Sequence, residues 1–338
     1  MKDSYSQKKT YRKDRIVLGD KLPISTPLSI FLDVSEVCNL RCNYCFRGND
    51  NTYKGSYVRD NDIMSWETFC RAMEQIEEFP DTLKKISLSG HGEPLVNKNL
   101  TKMIRYINEN YGECETEIHT NATILDKAYA LDLADANISK IVISLQGLSS
   151  RKYREICGTR INFDSFIESI ETLYKNRKDT IIFVKIVDIA LEGQEKSQLY
   201  EKFQNICDNV IIETSVNLWK GMDSLNNNSV KVNKFGDEIQ YQKCCSLSFY
   251  SLFVSPNGTV YPCTQPSISF NLGNIYNSSL LDCWNGERRR EFLYKQLKYG
   301  RQVLVDCNDC YIAQNSIMSI EDSLIGYEDE ILERFGRG

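Results

Sequence analysis

The chain has 338 residues, with 41 lysines and arginines against 46 aspartates and glutamates, a net charge of −5. That balance argues against a nucleic-acid partner held by a basic surface. No apolar run approaches the ~20 residues of a membrane span, so neither nucleic acid nor membrane is expected as a partner.

Residues 1–28 read as a polar, extended leader without the pattern of a secretory signal. From 29 to about 215, strand and helix patterns alternate. Strands are predicted at 29–34, 84–88, 115–119, 140–145, 181–187 and 209–213. Helices are predicted at 65–79, 98–110, 125–134, 162–176 and 194–206. Alternation of this kind implies an α/β fold of parallel strands with right-handed crossovers. Six repeats predict a partial, TIM-like (βα)6 barrel over 29–220. Residues 221–240, with Asn226-Asn227-Asn228, read as a linker or surface loop. Two apolar runs, 249–254 and 259–261, then flank Ser255-Pro256-Asn257-Gly258, a strong hairpin signal. They predict a small second domain over 241–315, and helices near 278–284 and 286–297 follow. Residues 316–338 form a tail, with a charged helix predicted at 321–335.

Thirteen cysteines, an odd number with no export signal, argue for a reducing cytoplasm and against disulfides. Three of them form Cys38-x3-Cys42-x2-Cys45, just after the first strand. A cubane 4Fe–4S cluster normally takes four thiolates. A loop offering three leaves one iron open, and an open metal position is where a ligand can bind. Zinc would want a fourth Cys or His nearby, and the histidines, His91 and His119, lie elsewhere. A second set comprises Cys245, Cys263, Cys307 and Cys310, the last two as C-x2-C. Four thiolates can saturate one cluster or one zinc ion, and spacing alone does not choose. Cys244 competes with Cys245 as a ligand. Cys70, Cys114 and Cys207 read as small buried hydrophobes.

The cysteine loop resembles that of the radical S-adenosylmethionine superfamily. Gly90-His91-Gly92-Glu93-Pro94 is similar to its G-G-E-P motif, with His91 where the first glycine is expected. The resemblance implies that the amino and carboxylate groups of S-adenosylmethionine chelate the open iron. Tyr44 matches the position near the adenine. Gly90 and Gly92 would allow close approach to the cofactor, and Glu93 would accept from its ammonium group. Ile143-Ser144-Leu145-Gln146-Gly147 resembles the family's I-S-L-D-G, in which the serine approaches S-adenosylmethionine. Asn121, ending His119-Thr120-Asn121, matches a recurring T-N pair, while His119 reads as a hydrogen-bonded structural residue. Lys185, inside an apolar strand, is a candidate contact to cofactor or substrate.

The C-terminal pattern Cys245-x12-Gly258-x4-Cys263, Leu272-Gly273-Asn274-Ile275, Trp284, C-x2-C resembles the SPASM/Twitch auxiliary domain. Ser316 stands where the fuller SPASM pattern has its next cysteine, so the shorter Twitch form, with one auxiliary 4Fe–4S cluster, fits better. The expected cofactors are therefore S-adenosylmethionine and two 4Fe–4S clusters, with a reductant such as flavodoxin or ferredoxin as partner. The resemblance implies generation of a 5′-deoxyadenosyl radical and abstraction of hydrogen from a C–H bond. Oxidation of a sugar- or cyclitol-like substrate is the leading expectation. Peptide modification is the alternative; superfamily epimerases use a cysteine as hydrogen donor, which makes Cys157 a candidate, although a buried thiol is its simpler reading. A third reading is a non-catalytic iron–sulfur or zinc protein.

Overall fold

The computed structural model describes residues 15–48, 62–193, 195–218 and 231–336. The first 14 residues of the leader and the asparagine run at 226–228 lie outside them. Six parallel strands form the barrel wall in chain order: β1 Ser29–Leu32, β2 Lys85–Ser87, β3 Glu115–Thr120, β4 Lys140–Leu145, β5 Ile181–Val187 and β6 Asn209–Glu213. Helices α2 Trp66–Ile76, α3 Leu100–Asn110, α4 Lys127–Ala136, α5 Ser150–Cys157, α6 Phe163–Asn176 and α7 Glu195–Phe203 lie between them. The predicted strands and helices are all present, with ends shifted by a few residues. The sheet is open, because β6 pairs only with β5.

Strand alternation sorts the side chains into two sets. Ile30, Leu32, Ile86, Ile118, Ile141, Ile143, Ile182 and Val184 pack outward into one apolar core with the helices. The other face of the same strands carries Phe31, Glu117, His119, Ser144, Lys185 and Glu213. The helices start where side chains cap them. Ser65, Asp126, Ser149 and Asn162 accept from the backbone N–H three residues on. Helix α4 ends at Asn137 and α5 at Gly158, both in the left-handed conformation. The sequence pattern did not mark α5, whose composition is mostly polar.

The strands of the expected hairpin continue the barrel sheet. Strand β7, Ser251–Val254, pairs in parallel with β1, Ser29 opposite Ser251 and Leu32 opposite Val254. Strands β8 Thr259–Tyr261 and β9 Gly273–Asn274 follow antiparallel. Val254, Val260, Ile275 and Trp284 belong to the same core as Ile30 and Leu32. A second apolar cluster joins Leu18 of helix α1, Leu18–Lys21, and Leu22 just after it to Phe292, Leu293 and Leu297 of α10, Glu287–Tyr299, and to Ile331 of α13, Glu328–Gly336. Arg334 donates to the Gly19 and Asp20 carbonyls, so leader and tail hold each other. Residues 231–238, read as part of a linker, form a fixed turn. Val232 bridges Glu238, and buried Asn233 accepts from the Phe235 and Asp237 N–H groups and donates to the Ile317 carbonyl.

Asn97 pins the loop that leaves β1. Its amide donates to the Val34 and Met64 carbonyls at 2.8 and 2.9 Å, and it is buried. Replacing it with alanine leaves the Val34 carbonyl with only the Met64 N–H and removes the amide donor from the Met64 carbonyl, a loss of about 1–3 kcal/mol for each buried acceptor left without a partner. Asn97→Ala is expected to lower the free energy of unfolding by at least the smaller of these amounts, read from urea denaturation.

Candidate active site and auxiliary cluster site

The strand ends near β1–β3 gather the first cysteine set. The loop after β1 turns on Cys45 N–H to the Cys42 carbonyl and on Arg41 to the Cys38 and Leu40 carbonyls. Its flank is tied to α5 through Asn43 N–H and the Ile156 carbonyl. Cys38, Cys42 and Cys45 are close enough to perturb one another electrostatically. Burial pushes the Cys45 thiol up to about 12, with Cys42 and Cys38 adding to it. A thiol held protonated in this way becomes a ligand against a metal's charge, which deprotonates it outright. Three soft sulfur donors from one loop fit a cluster with one open position.

The neighbouring motif is fixed by contacts within the protein. Gly90 and Gly92 approach a protein loop. A Cβ at Gly90 would sit 2.1 Å from Asp33 Cγ, and one at Gly92 would sit 2.3 Å from the Ser35 carbonyl oxygen. Neither contact is tolerable. Both Glu93 oxygens are engaged by the protein. Oε1 accepts from Leu95 N and Thr120 Oγ1 at 3.0 and 2.5 Å, and Oε2 accepts from Asn121 N at 2.7 Å. Burial raises this carboxyl to about 7 against the pull of those donors. Asn121 then reaches back to the cysteine loop, donating to Asn39 Oδ1 at 2.9 Å and lying 3.9 Å from Cys38 Sγ.

His91 does what a glycine cannot. Its ring lies between Phe46 and Phe253, with centroids at 5.8 and 4.7 Å. Its Nδ1 is 3.3 Å from buried Asp33, and its Nε2 is 2.9 Å from the Thr264 carbonyl. Its own carbonyl accepts from Arg47, two residues past Cys45. Thr264 directly follows Cys263, so one histidine touches the surroundings of both cysteine sets.

Other expected contacts are partly brought together. Ser144 and Lys185 are register partners on the inner face of β4 and β5. Lys185 Nζ lies 3.5 Å from Glu213. Gln146 is buried and donates to the Ser144 carbonyl. Tyr44 packs against the core, and burial raises its hydroxyl, followed by the charges of Cys42 and Cys157. Cys157 is 1% exposed and packs in the outer core, its sulfur 3.6 Å from Cys42 Sγ. That places it behind the cysteine loop. His119 is both hydrogen-bonded, to Glu117 at 3.2 Å, and open to the barrel interior.

The second set converges as well. Cys245, Cys263, Cys307 and Cys310 line one small pocket with Ser248, Ile268, Phe292 and Ala313. Cys244 does not line this pocket and packs in the apolar cluster of Leu18 and Phe249. Cys283, which the sequence left without a role, is a core residue. The support was not legible in the sequence. Arg301 donates to the Gln242, Cys307 and Cys310 carbonyls, folding the C-x2-C hook, and Gln296 accepts from the Cys245 N–H at 2.9 Å. Burial pushes the Cys245 thiol up to about 11 and Cys263 well above the ordinary range. Four sulfurs lining one pocket, with Asp306 beside them, fit an iron–sulfur cluster with every iron held by a thiolate.

Two such sites on one partial barrel define an enzyme class. Residues 32–201 match the family model of the radical SAM superfamily, and 244–311 match that of an iron–sulfur cluster-binding domain, SPASM. The first match covers half of the chain, and the protein belongs to the radical SAM superfamily, with S-adenosylmethionine and iron–sulfur clusters as its cofactors. A GTP 3′,8-cyclase of Clostridium perfringens is 29% identical over 182 residues, 53% of this chain and 52% of that one. The chain thus spans about half the length of that relative. A tungsten-containing aldehyde ferredoxin oxidoreductase cofactor-modifying protein of Pyrococcus furiosus is 21% identical over 323 residues, 83% of this chain and 86% of that one. Among solved structures, SuiB of Streptococcus suis bound to S-adenosylmethionine superposes with a TM-score of 0.62 at 17% identity, covering 90% of this chain and 77% of that one. At that identity the likeness concerns the fold. No helix among the described residues is long and apolar enough to cross a membrane.

Two substitutions check the site. Cys245→Ser is expected to lose about four irons per chain on anaerobic reconstitution, one cubane's worth, whereas Cys244→Ser keeps them. Glu93→Gln removes the acceptor for the Asn121 N–H and is expected to cost about 1–3 kcal/mol of stability, read as a lower urea midpoint.

Proposed function

We propose that the protein is a radical SAM oxidoreductase that dehydrogenates a small polar, sugar- or cyclitol-like substrate. The observation that carries this reading is the second cysteine set. Four thiols close on one pocket, so a cubane held there has no iron left for substrate, and electron acceptance remains as its role. When bound at the first site, the cluster and S-adenosylmethionine supply an adenosyl radical able to take a hydrogen atom from an unactivated C–H bond. Removal of that atom, followed by loss of one electron to the auxiliary site and one proton, amounts to a two-electron oxidation.

The chain's own residues bind, orient and shield. Cys38, Cys42 and Cys45 hold the first cluster, and Asn121 fixes the loop that carries them. Gly90, Gly92 and the buried Glu93 seat the neighbouring loop that shapes the cofactor space, with Tyr44 at its edge. Ser144 and Lys185 offer polar contacts from the barrel wall to cofactor or substrate. The interior supports a hydrophilic substrate: Glu117, His119, Lys140, Lys185 and Glu213 line a cavity of about 990 Å3, at the upper end of ordinary ligand pockets. A reductant such as flavodoxin or ferredoxin supplies the first electron. The position of Cys157 speaks against the alternative in which it donates hydrogen to a peptide radical, since its sulfur faces the back of a cluster ligand.

Anaerobic reconstitution with iron and sulfide tests the reading. Wild type is expected to carry about eight irons and the Cys38/Cys42/Cys45→Ala variant about four, with 5′-deoxyadenosine formed only by the former. A Cys307/Cys310→Ala variant is expected to keep S-adenosylmethionine cleavage and to lose oxidised product. Oxidised product from that variant would refute the electron-acceptor role.

A further inference from the structure

The barrel interior carries an ordered set of charges that the cluster chemistry does not use. On the inner wall, Lys85 and Lys140 flank Glu117 at 3.2 and 3.1 Å. Further along, Lys185 and Lys234 flank Glu213 at 3.5 and 3.9 Å. Four lysines therefore face two carboxylates inside one cavity. The two acids respond to this. Burial by itself would raise Glu213, but Lys185 and Lys234 hold it down at about 2, and Lys85 and His119 likewise hold Glu117 well below the usual range. Glu115 and Asp179 lie at the outer end of the cavity, where β3 and β5 begin, with Lys84 among them, and Arg15 pairs with Asp322 there. The lining as a whole carries six lysines and arginines against five carboxylates, and the local excess lies where four of those lysines share Glu117 and Glu213.

Lys234 shows that the belt is built. It does not come from the barrel. The turn at 231–238 delivers it, cornered by buried Asn233 and stitched to β6 by Thr214 N–H to the Lys234 carbonyl at 2.9 Å. Burial lowers the ammonium's own pKa, and Glu213 only partly opposes that. Bringing a fourth cation into a confined space beside a third costs free energy that a surface lysine would not. A positive cavity with low-dielectric walls concentrates anions, and an ammonium group is a strong donor to phosphate or carboxylate oxygens.

Resting on the redox reading above, we infer that the belt of Lys85, Lys140, Lys185 and Lys234 is the anchor for an oxyanion on the substrate, a phosphate or carboxylate borne by a small polar molecule. Register supports the direction of binding. Lys185 is the partner of Ser144, and Asn121 lies two residues beyond the cavity-lining His119, roughly 7 Å along an extended strand. A molecule anchored by its anion at Lys185 and Lys234 extends toward the cysteine-loop end of the barrel and presents its C–H bonds there.

Calorimetric titration of the anaerobically reconstituted full chain tests this with inorganic pyrophosphate, succinate and glycerol as probes. At least one of the two anions is expected to bind one site per chain, and the pair tells phosphate from carboxylate preference; glycerol gives no heat. Lys234→Met and Lys140→Met are each expected to weaken that binding about tenfold or more, the loss of one hydrogen bond to a charged group. Lys175→Met, on the exposed face of α6, leaves it unchanged. Should Lys234→Met fail to fold, as judged by circular dichroism, Lys140→Met carries the same test. Binding of neither anion, or binding that ignores both lysines, overturns the inference. Formation of 5′-deoxyadenosine by the same sample reports separately on the redox reading, so the two can fail independently.

Discussion

One buried carboxylate organises the reactive end of the barrel. Glu93 lies in the loop after β2 and accepts hydrogen bonds from Leu95, Thr120 and Asn121. Through it the ends of β2 and β3 become one unit. Through Asn121 that unit extends to Asn39 and Cys38. A carboxylate deep in the protein is costly unless its oxygens are satisfied. The three protein donors satisfy this one, and the close packing of Gly90 and Gly92 against the loop from Asp33 to Val37 holds the segment that carries it. The position of the three thiols follows from that arrangement more than from any property of the cysteines themselves.

The second constraint is the shared sheet. Because β7 pairs with β1, the auxiliary site is fixed to the same strand that launches the first cysteine loop. Two clusters exchange electrons usefully only if their separation is stable, and a continuous hydrogen-bonded ladder with one core provides stability that a tethered domain would not. His91 adds a direct link, with Asp33 and Arg47 on one side and the carbonyl following Cys263 on the other.

Much of this was legible in the sequence, for identifiable reasons. The strand–helix alternation carries the barrel, since period-2 and period-3.6 patterns are read directly from apolar residues. The cysteine loop and the C-x2-C hook carry the cluster sites, since ligand spacing is local. Relations set by folding were not legible. The three protein donors to Glu93 come from the loop itself and from a strand end some 27 residues on, which no local motif marks. Cys244 and Cys245 are adjacent, and only the direction of the chain entering α8, Leu247–Tyr250, decides which sulfur enters the pocket. Gln296 and Arg301 carry no motif at all. Lys234 sat in a stretch whose asparagines and glycine suggested a loose loop, whereas Asn233 there closes a tight one.

The account rests on an asymmetry between two iron–sulfur sites, one with three protein thiolates and one with four. Mössbauer spectra of the 57Fe-reconstituted protein, recorded before and after addition of S-adenosylmethionine, address that asymmetry directly. The account predicts that one iron of one cubane changes its isomer shift while the other cubane is unaffected. Spectra in which neither cluster responds to S-adenosylmethionine, or in which the responding iron persists after Cys38, Cys42 and Cys45 are replaced, would contradict it.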